Sequence, residues 1–372
     1  IKKINEFNRG DNSGNSYFQM NQHKGSRWSA TKAYLRPVIS RKNLTVLTHA
    51  HVKKIRIETS NRVKVAKGVV ASINKSDAKF FSAKKEVILC AGSIGSPQIL
   101  QLSGVADKAL LEKMGIPLIH ELKGVGENLH DHLQIRSVYE VQNTITLNQR
   151  INSFFGKIKM GPAYLIFKTG PLTMPPSQLG AFAKSDPSQM TANMEWHVQP
   201  LSLDKFGEPL HSFNAITPAV CNLRPTSRGH VRIKTSDSYD YPAITLNYLS
   251  TPEDEAIAVS GLKFTRKIMS ANALKKFNPE EILPGKKIES DKDLLDAARN
   301  LGTTIFHPVG TCKMGSDLFS VVNDRLQVHG IKNLRVVDAS IMPRITSGNT
   351  NAPTVMIAEQ GAEFIINKKF NN

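Results

Sequence analysis

Val87-Ile88-Leu89-Cys90-Ala91 is a short unbroken apolar run, the pattern of a strand covered on both faces. It leads into Gly92-Ser93-Ile94-Gly95-Ser96-Pro97. Ser96 suits an N-cap and Pro97 a first helical position, which predicts a helix from Pro97 to Leu102. Strand, glycine turn and helix in that order belong to an α/β layer structure. Upstream, Leu44 to Leu47 and Val52 to Ile57 read as strands, and Val63 to Ile73 as another, broken at Gly68. From about Gln134 to Lys168 the pattern is irregular, with Gly161-Pro162 and Gly170-Pro171 as breakers. Glu195 to Val198, Phe213 to Thr217 and His230 to Lys234 resemble antiparallel strands. Thr251 then caps a helix that opens on Pro252-Glu253-Asp254 and runs to about Met269. Leu334 to Val337 restores the buried-strand pattern. Ala352 to Ile366 is helical, with Val355, Ala358, Ala362 and Ile365 on one face.

The chain thus starts in one layered structure, leaves it to build a sheet, and returns. The expected fold class is α/β with an α+β second domain. The expected divisions are 1–135, 136–300 and 301–372, the first and last forming one domain around the middle one. A chain of 372 residues, 40% apolar and 22% charged, can bury a large core. No apolar run is long enough to span a bilayer, so no membrane span is expected.

A net charge of +18 raises nucleic-acid binding as a possibility. The basic residues are spread along the chain, however, and aromatic content is only 7%, so no nucleic-acid partner is expected. An attraction to anionic surfaces or substrates stays open. Three cysteines leave an odd thiol. Cys90, at a strand end, reads as buried and inert, while a Cys221–Cys312 disulfide stays open. The start at Ile1, without Met or a leader pattern, reads as a piece of something longer and sets no localisation.

Candidate chemistry gathers near the carboxyl end. His307 sits in the loop Phe306-His307-Pro308-Val309-Gly310, and an imidazole there suits proton removal from a hydroxyl. Asp338 ends a buried strand, where a carboxylate either caps the following turn or faces a ligand. Asn351 precedes a helix, as an N-cap or as an amide reaching toward the same pocket as His307. In His130-Asp131-His132, strand alternation would put both imidazoles on one face. No third ligand has convincing spacing, so a structural role is expected and no metal.

Together these segments are identified with a known family. Gly92 to Val105, Gly124 to His132, His307 to Gly315, Val337 to Pro343 and Ser347 to Thr354 resemble, in order, signatures of the glucose–methanol–choline (GMC) flavoprotein oxidoreductases. Tyr17 to Pro37 is similar to insect glucose dehydrogenase-like members. The resemblance implies a partial FAD-binding Rossmann-like domain and an antiparallel-sheet substrate domain. It implies oxidation of an alcohol or sugar CH–OH group, with hydride passing to FAD and electrons then passing to a quinone or other acceptor. His307 would be the base and Asn351 its active-site partner. Val52 would contact adenine through its backbone, and Ala91, Asp338, Ala339, Pro353 and Thr354 would line the cofactor. The insect likeness leans toward a secreted setting. The family's Gly-x-Gly-x-x-Gly loop would lie upstream of Ile1, which keeps a truncated, non-catalytic chain as the alternative. Two departures stand out: Ala106 replaces a usual Gly, and Arg344 replaces a small residue, either crowding the substrate or pointing to solvent.

Overall fold

The computed structural model describes residues 1–205 and 207–367. Its α-helices are α1 (Gly92–Leu102), α2 (Lys108–Lys113), α3 (Leu147–Asn152), α4 (Phe154–Leu165), α5 (Pro252–Met269), α6 (Asp291–Leu301) and α7 (Asn351–Asn367). They accompany antiparallel sheets and short parallel strand pairs, a mixed α/β architecture. The chain forms two units. One comprises Ile1–Val46, Leu133–Leu223 and Thr251–Ile305; the other comprises Leu47–His132, Arg224–Ser250 and Phe306–Asn372.

This division differs from the expected 1–135, 136–300 and 301–372 in two places. The amino-terminal stretch joins the large sheet, because Gly14–Tyr17 pairs antiparallel with Leu179–Ala183. Residues 224–250 leave it: His230–Arg232 pairs with Ala243–Thr245, and the Val231 N–H donates to the Gly126 carbonyl at 2.7 Å. The buried Gln101 side chain completes that attachment. Its amide donates to the Val231 carbonyl at 2.8 Å and its oxygen accepts the Ile233 N–H at 2.9 Å. Both exceptions are made by backbone pairing between distant segments, which local pattern does not encode.

In the sheet unit the spatial order is Gly14–Tyr17, Leu179–Ala183, Met194–Gln199, Ala215–Asn222, Leu133–Arg136 and Gly302–Thr304, all antiparallel. Helix α5 covers one face. Its start is as the sequence predicts: the Thr251 hydroxyl accepts the Asp254 N–H, and Glu253, Asp254 and Glu255 occupy the first turn, where the helix dipole favours anions. Trp196 is fully buried beneath it and donates its indole N–H to Thr265 Oγ1 at 2.8 Å, so no polar atom of that ring is stranded. On the sheet's amino-terminal edge, Phe7 packs its ring on Phe18 and Phe182, with centroids 5.4 and 4.7 Å apart.

In the other unit Ala50–Ser60 and Val63–Ile73 form a long hairpin. Gly68 does not break the second strand. Its φ of +152°, and a position where a Cβ would lie 2.0 Å from the Phe81 carbonyl oxygen, let the strand pass close to Lys79–Ser82. Leu44 to Leu47, expected as a strand, lies outside the strands. Val87–Leu89 pairs parallel with Leu334–Val336, the pairing expected of an α/β layer. Burial on both faces is not what it shows. Val87 and Leu89 point into a core with Leu100, Leu111, Val309 and Val336, whereas Ile88 and Cys90 are exposed, since alternate strand residues face opposite ways. None of the three cysteines is in a disulfide. Among the described residues no helix is long and apolar enough to cross a membrane.

Candidate active site

Helix α1 begins at Gly92, five residues before the predicted Pro97. Tertiary partners supply the missing turn. Gly92 has φ +75° and donates its N–H to Asp338 Oδ2 at 3.0 Å. Ser96, expected as the cap, sits inside the helix; its hydroxyl accepts the Ala91 N–H at 3.1 Å and donates to Asp338 Oδ2 at 2.5 Å. The other Asp338 oxygen accepts the Ser340 N–H at 2.8 Å and so caps the turn Ala339–Ile341. One buried carboxylate therefore ties two strand ends together. Of the two sequence readings of Asp338, these bonds show the cap of the following turn.

Pro97 inside α1 has a consequence for the His307 loop. Proline has no N–H, so the Ser93 carbonyl one turn earlier loses its helical donor. The buried Thr311 hydroxyl takes that place, donating to Ser93 O at 2.7 Å. Ser93 returns a bond, its own hydroxyl donating to the Pro308 carbonyl at 2.6 Å. The loop 307–311 is thereby fastened to the start of α1. Gly310 permits the approach from the other side. With φ +96°, it puts a hypothetical Cβ 2.5 Å from Asn128 O and 2.8 Å from His130 Cε1, so only glycine fits.

Residues 128–132 lie against this loop through paired bonds, His130 N–H to Val309 O at 3.2 Å and Val309 N–H to His130 O at 2.9 Å. They are not a regular strand, so the expectation of two imidazoles sharing one strand face gives way to two separate environments. His132, completely buried, brings its Nδ1 to 3.1 Å from His307 Nδ1, with the rings nearly perpendicular at 80°. Asp131 accepts the His307 backbone N–H at 2.8 Å on one oxygen and the Tyr248 hydroxyl at 2.5 Å on the other. His132, Asp131 and Tyr248 are site residues that sequence reasoning missed. The His-Asp-His triplet was the available signal, weighed as a metal site and read as structural. Among the described residues no group of three or more His, Cys, Asp or Glu is placed to hold a metal ion.

His130 has a different task. Its Nδ1 is 2.6 Å from the Asn128 carbonyl and must donate, while its Nε2 accepts the Ile345 N–H at 2.9 Å. Those two bonds fix the neutral Nδ1–H tautomer. Burial, with the nearby Arg228 cation second, lowers its pKa to about 4. An unfolded histidine binds its proton near pH 6.5, so between about pH 6.5 and about 4 the unfolded state carries the extra proton. Stability should then fall as pH drops through that window, by up to roughly 3 kcal/mol from this group. Denaturant unfolding at stepped pH measures it. His130→Gln should be less stable at pH 7 and should show a flatter decline below pH 6.5; parallel curves for the two proteins would refute the assignment.

The remaining predicted residues are placed as follows. Ala91 precedes α1, beside Asp338 and Ala339. Val52 lies on the hairpin opposite Ala71, next to a register shift between Val52 and Lys54, a feature that turns backbone groups out of the ladder. Asn351 is exposed and is the first residue of α7. It is not the N-cap: the Thr350 carbonyl accepts the Thr354 N–H at 3.1 Å, which puts Thr350 in the cap position. Pro353 and Thr354 follow in the first turn, where a missing N–H costs nothing. Arg344 is exposed, and Ala106 is buried in the core.

Comparison with known proteins places this arrangement in a family. GMC oxidoreductase models match residues 2–134 and 225–358. An alcohol dehydrogenase [acceptor] of Pseudomonas putida is 40% identical over 367 residues, 98% of this chain and 65% of its own length. An oxygen-dependent choline dehydrogenase of Cronobacter sakazakii is 40% identical over 342 residues, 92% of this chain and 60% of its own. The chain thus spans less than two thirds of these relatives. Among solved structures, pyridoxine 4-oxidase from Mesorbium loti superposes with a TM-score of 0.84 at 27% identity, covering 97% of this chain and 66% of that one. Formate oxidase from Aspergillus oryzae gives 0.88 at 24% identity, covering 96% and 66%, a likeness of fold. With the two family matches spanning most of its length and the His307 loop held against 128–132, the chain belongs to the GMC oxidoreductase family.

Proposed function

We propose that the protein carrying this chain oxidises the CH–OH group of a small alcohol or sugar with FAD as its cofactor, passing electrons on to a quinone or another acceptor. The observation that carries this reading is the 3.1 Å approach of His132 Nδ1 to His307 Nδ1. Two neutral imidazoles meeting through these nitrogens share one proton. When His307 holds it and donates to His132, the His307 lone pair lies on Nε2, ready to accept a hydroxyl proton. The imidazolium formed keeps its bond to His132, while Asp131 holds the His307 backbone in place. Asn351 is assigned to orient the substrate oxygen. FAD, when bound, supplies the hydride acceptor.

The residues present suit part of that cofactor. The parallel strands Val87–Leu89 and Leu334–Val336 end side by side at Ala91 and Asp338, and sheets of this class take cofactors at such ends. The space in front of Gly92 is open: a Cβ built there would meet nothing within 4 Å. Ala91, Asp338 and Ala339 would line the cofactor at this point, Pro353 and Thr354 from the first turn of α7, and Val52 from the hairpin. The relatives named for alcohol and choline oxidation support the substrate class.

The test uses the full-length protein. It should be yellow, absorbing near about 450 nm, and anaerobic addition of an alcohol or sugar should bleach it. Colourless protein would overturn the proposal in favour of a non-catalytic chain. Yellow protein that no alcohol or sugar bleaches would overturn the CH–OH assignment.

A further inference from the structure

Helix α4 and the residues after it carry an exposed apolar face. Phe154, Phe155 and Leu165 are 72%, 75% and 69% exposed, and Ile166 and Phe167, just past the helix, are both 70% exposed. Phe154, Ile158 and Leu165 recur at helical spacing, with Phe155 and Ile166 one step round, so they form one stripe rather than a scatter. Single exposed apolar residues need no explanation; a contiguous aromatic and aliphatic stripe marks an interaction surface.

The charges around it indicate the partner. The chain has 31 acidic residues in 372, yet from Val141 to Ser185 there is not one. The same stretch holds five basic residues, Arg150, Lys157, Lys159, Lys168 and Lys184. Arg150, Lys159 and Lys168 are exposed, and the Lys168 ammonium lies 4.8 Å from the centre of the Tyr164 ring. An apolar stripe of Phe, Ile and Leu on a segment that carries lysines and no acids of its own complements a surface with anionic headgroups over hydrocarbon. A protein partner would need matching acids and shaped pockets; a bilayer needs only this polarity.

We propose that the stripe on α4 seats the protein peripherally on an anionic membrane surface, with Phe154 and Phe155 entering the interface and Lys159 and Lys168 meeting phosphate headgroups. Nothing in this proposal depends on the reaction assigned above.

Co-sedimentation of the full-length protein with vesicles tests it. Phosphatidylcholine vesicles with about one third phosphatidylglycerol should bind the protein, pure phosphatidylcholine vesicles should bind it far less, and added salt should weaken binding. The double variant Phe154→Ser/Phe155→Ser should bind anionic vesicles roughly tenfold or more weakly, with circular dichroism and thermal midpoint unchanged. Lys159→Glu should weaken binding without touching the apolar residues. Three results would overturn the proposal. One is parent protein that stays in solution with anionic vesicles. Another is a Phe double variant that binds as well as the parent, which would assign the attraction to the +18 charge alone. The third is a parent dimer in sedimentation velocity that the Phe double variant turns to monomer, which would assign the stripe to a second copy of the chain.

Discussion

Replacing His307 with alanine is expected to cut turnover of the alcohol substrate by about 10²- to 10⁴-fold, the usual contribution of a positioned proton acceptor. Flavin content and thermal midpoint should stay near the parent values, because the loop's anchors survive the change. Asp131 accepts the backbone N–H of residue 307, Ser93 donates to the Pro308 carbonyl, and Val309 pairs with His130, all independent of the imidazole. Stopped-flow flavin reduction separates this step from reoxidation. A drop of less than about tenfold would remove His307 from the proton transfer and leave the His132 contact with a packing role alone.

The largest effect on stability is expected at Arg335. It is 2% exposed, in the strand Leu334–Val336, and its Nε lies 2.7 Å from Glu86 Oε2. A second guanidinium nitrogen donates to the Arg325 carbonyl. Arg335→Met would keep the apolar bulk and remove the cation, leaving the largely buried Glu86 carboxylate without its counter-charge and the Arg325 carbonyl without that donor. Breaking such a pair from one side costs about 3–5 kcal/mol. Urea unfolding should show a loss of that size, and Arg335→Met/Glu86→Leu should recover much of it, because an apolar pair carries no desolvated charge. A single variant as stable as the parent would mean that the pair contributes nothing net.

Several elements were legible along the chain. The cap and acidic first turn of α5 appear in Thr251 to Glu255, and the spacing of Val355, Ala358 and Ala362 marks α7 to within a residue at each end. His307, Asp338 and Asn351 stood out because each sits in a local setting that asks for an explanation. The start of α1 was misplaced because the sequence shows Pro97 and Ser96 but not Asp338, 246 residues from the Gly92 N–H that it holds. His132 was read as structural because its partner is 175 residues away.

By itself the sequence determined α5 and α7, the α/β class, the family and the candidacy of His307, Asp338 and Asn351. Each of these depends on residues within one or two turns or on a contiguous motif. Only the tertiary structure decided that 1–46 joins the large sheet, that Thr311 takes the carbonyl freed by Pro97, and which nitrogen of His307 faces another imidazole. Those choices are made by backbone pairing and burial between distant segments, where many sequence partners are chemically acceptable and packing selects one.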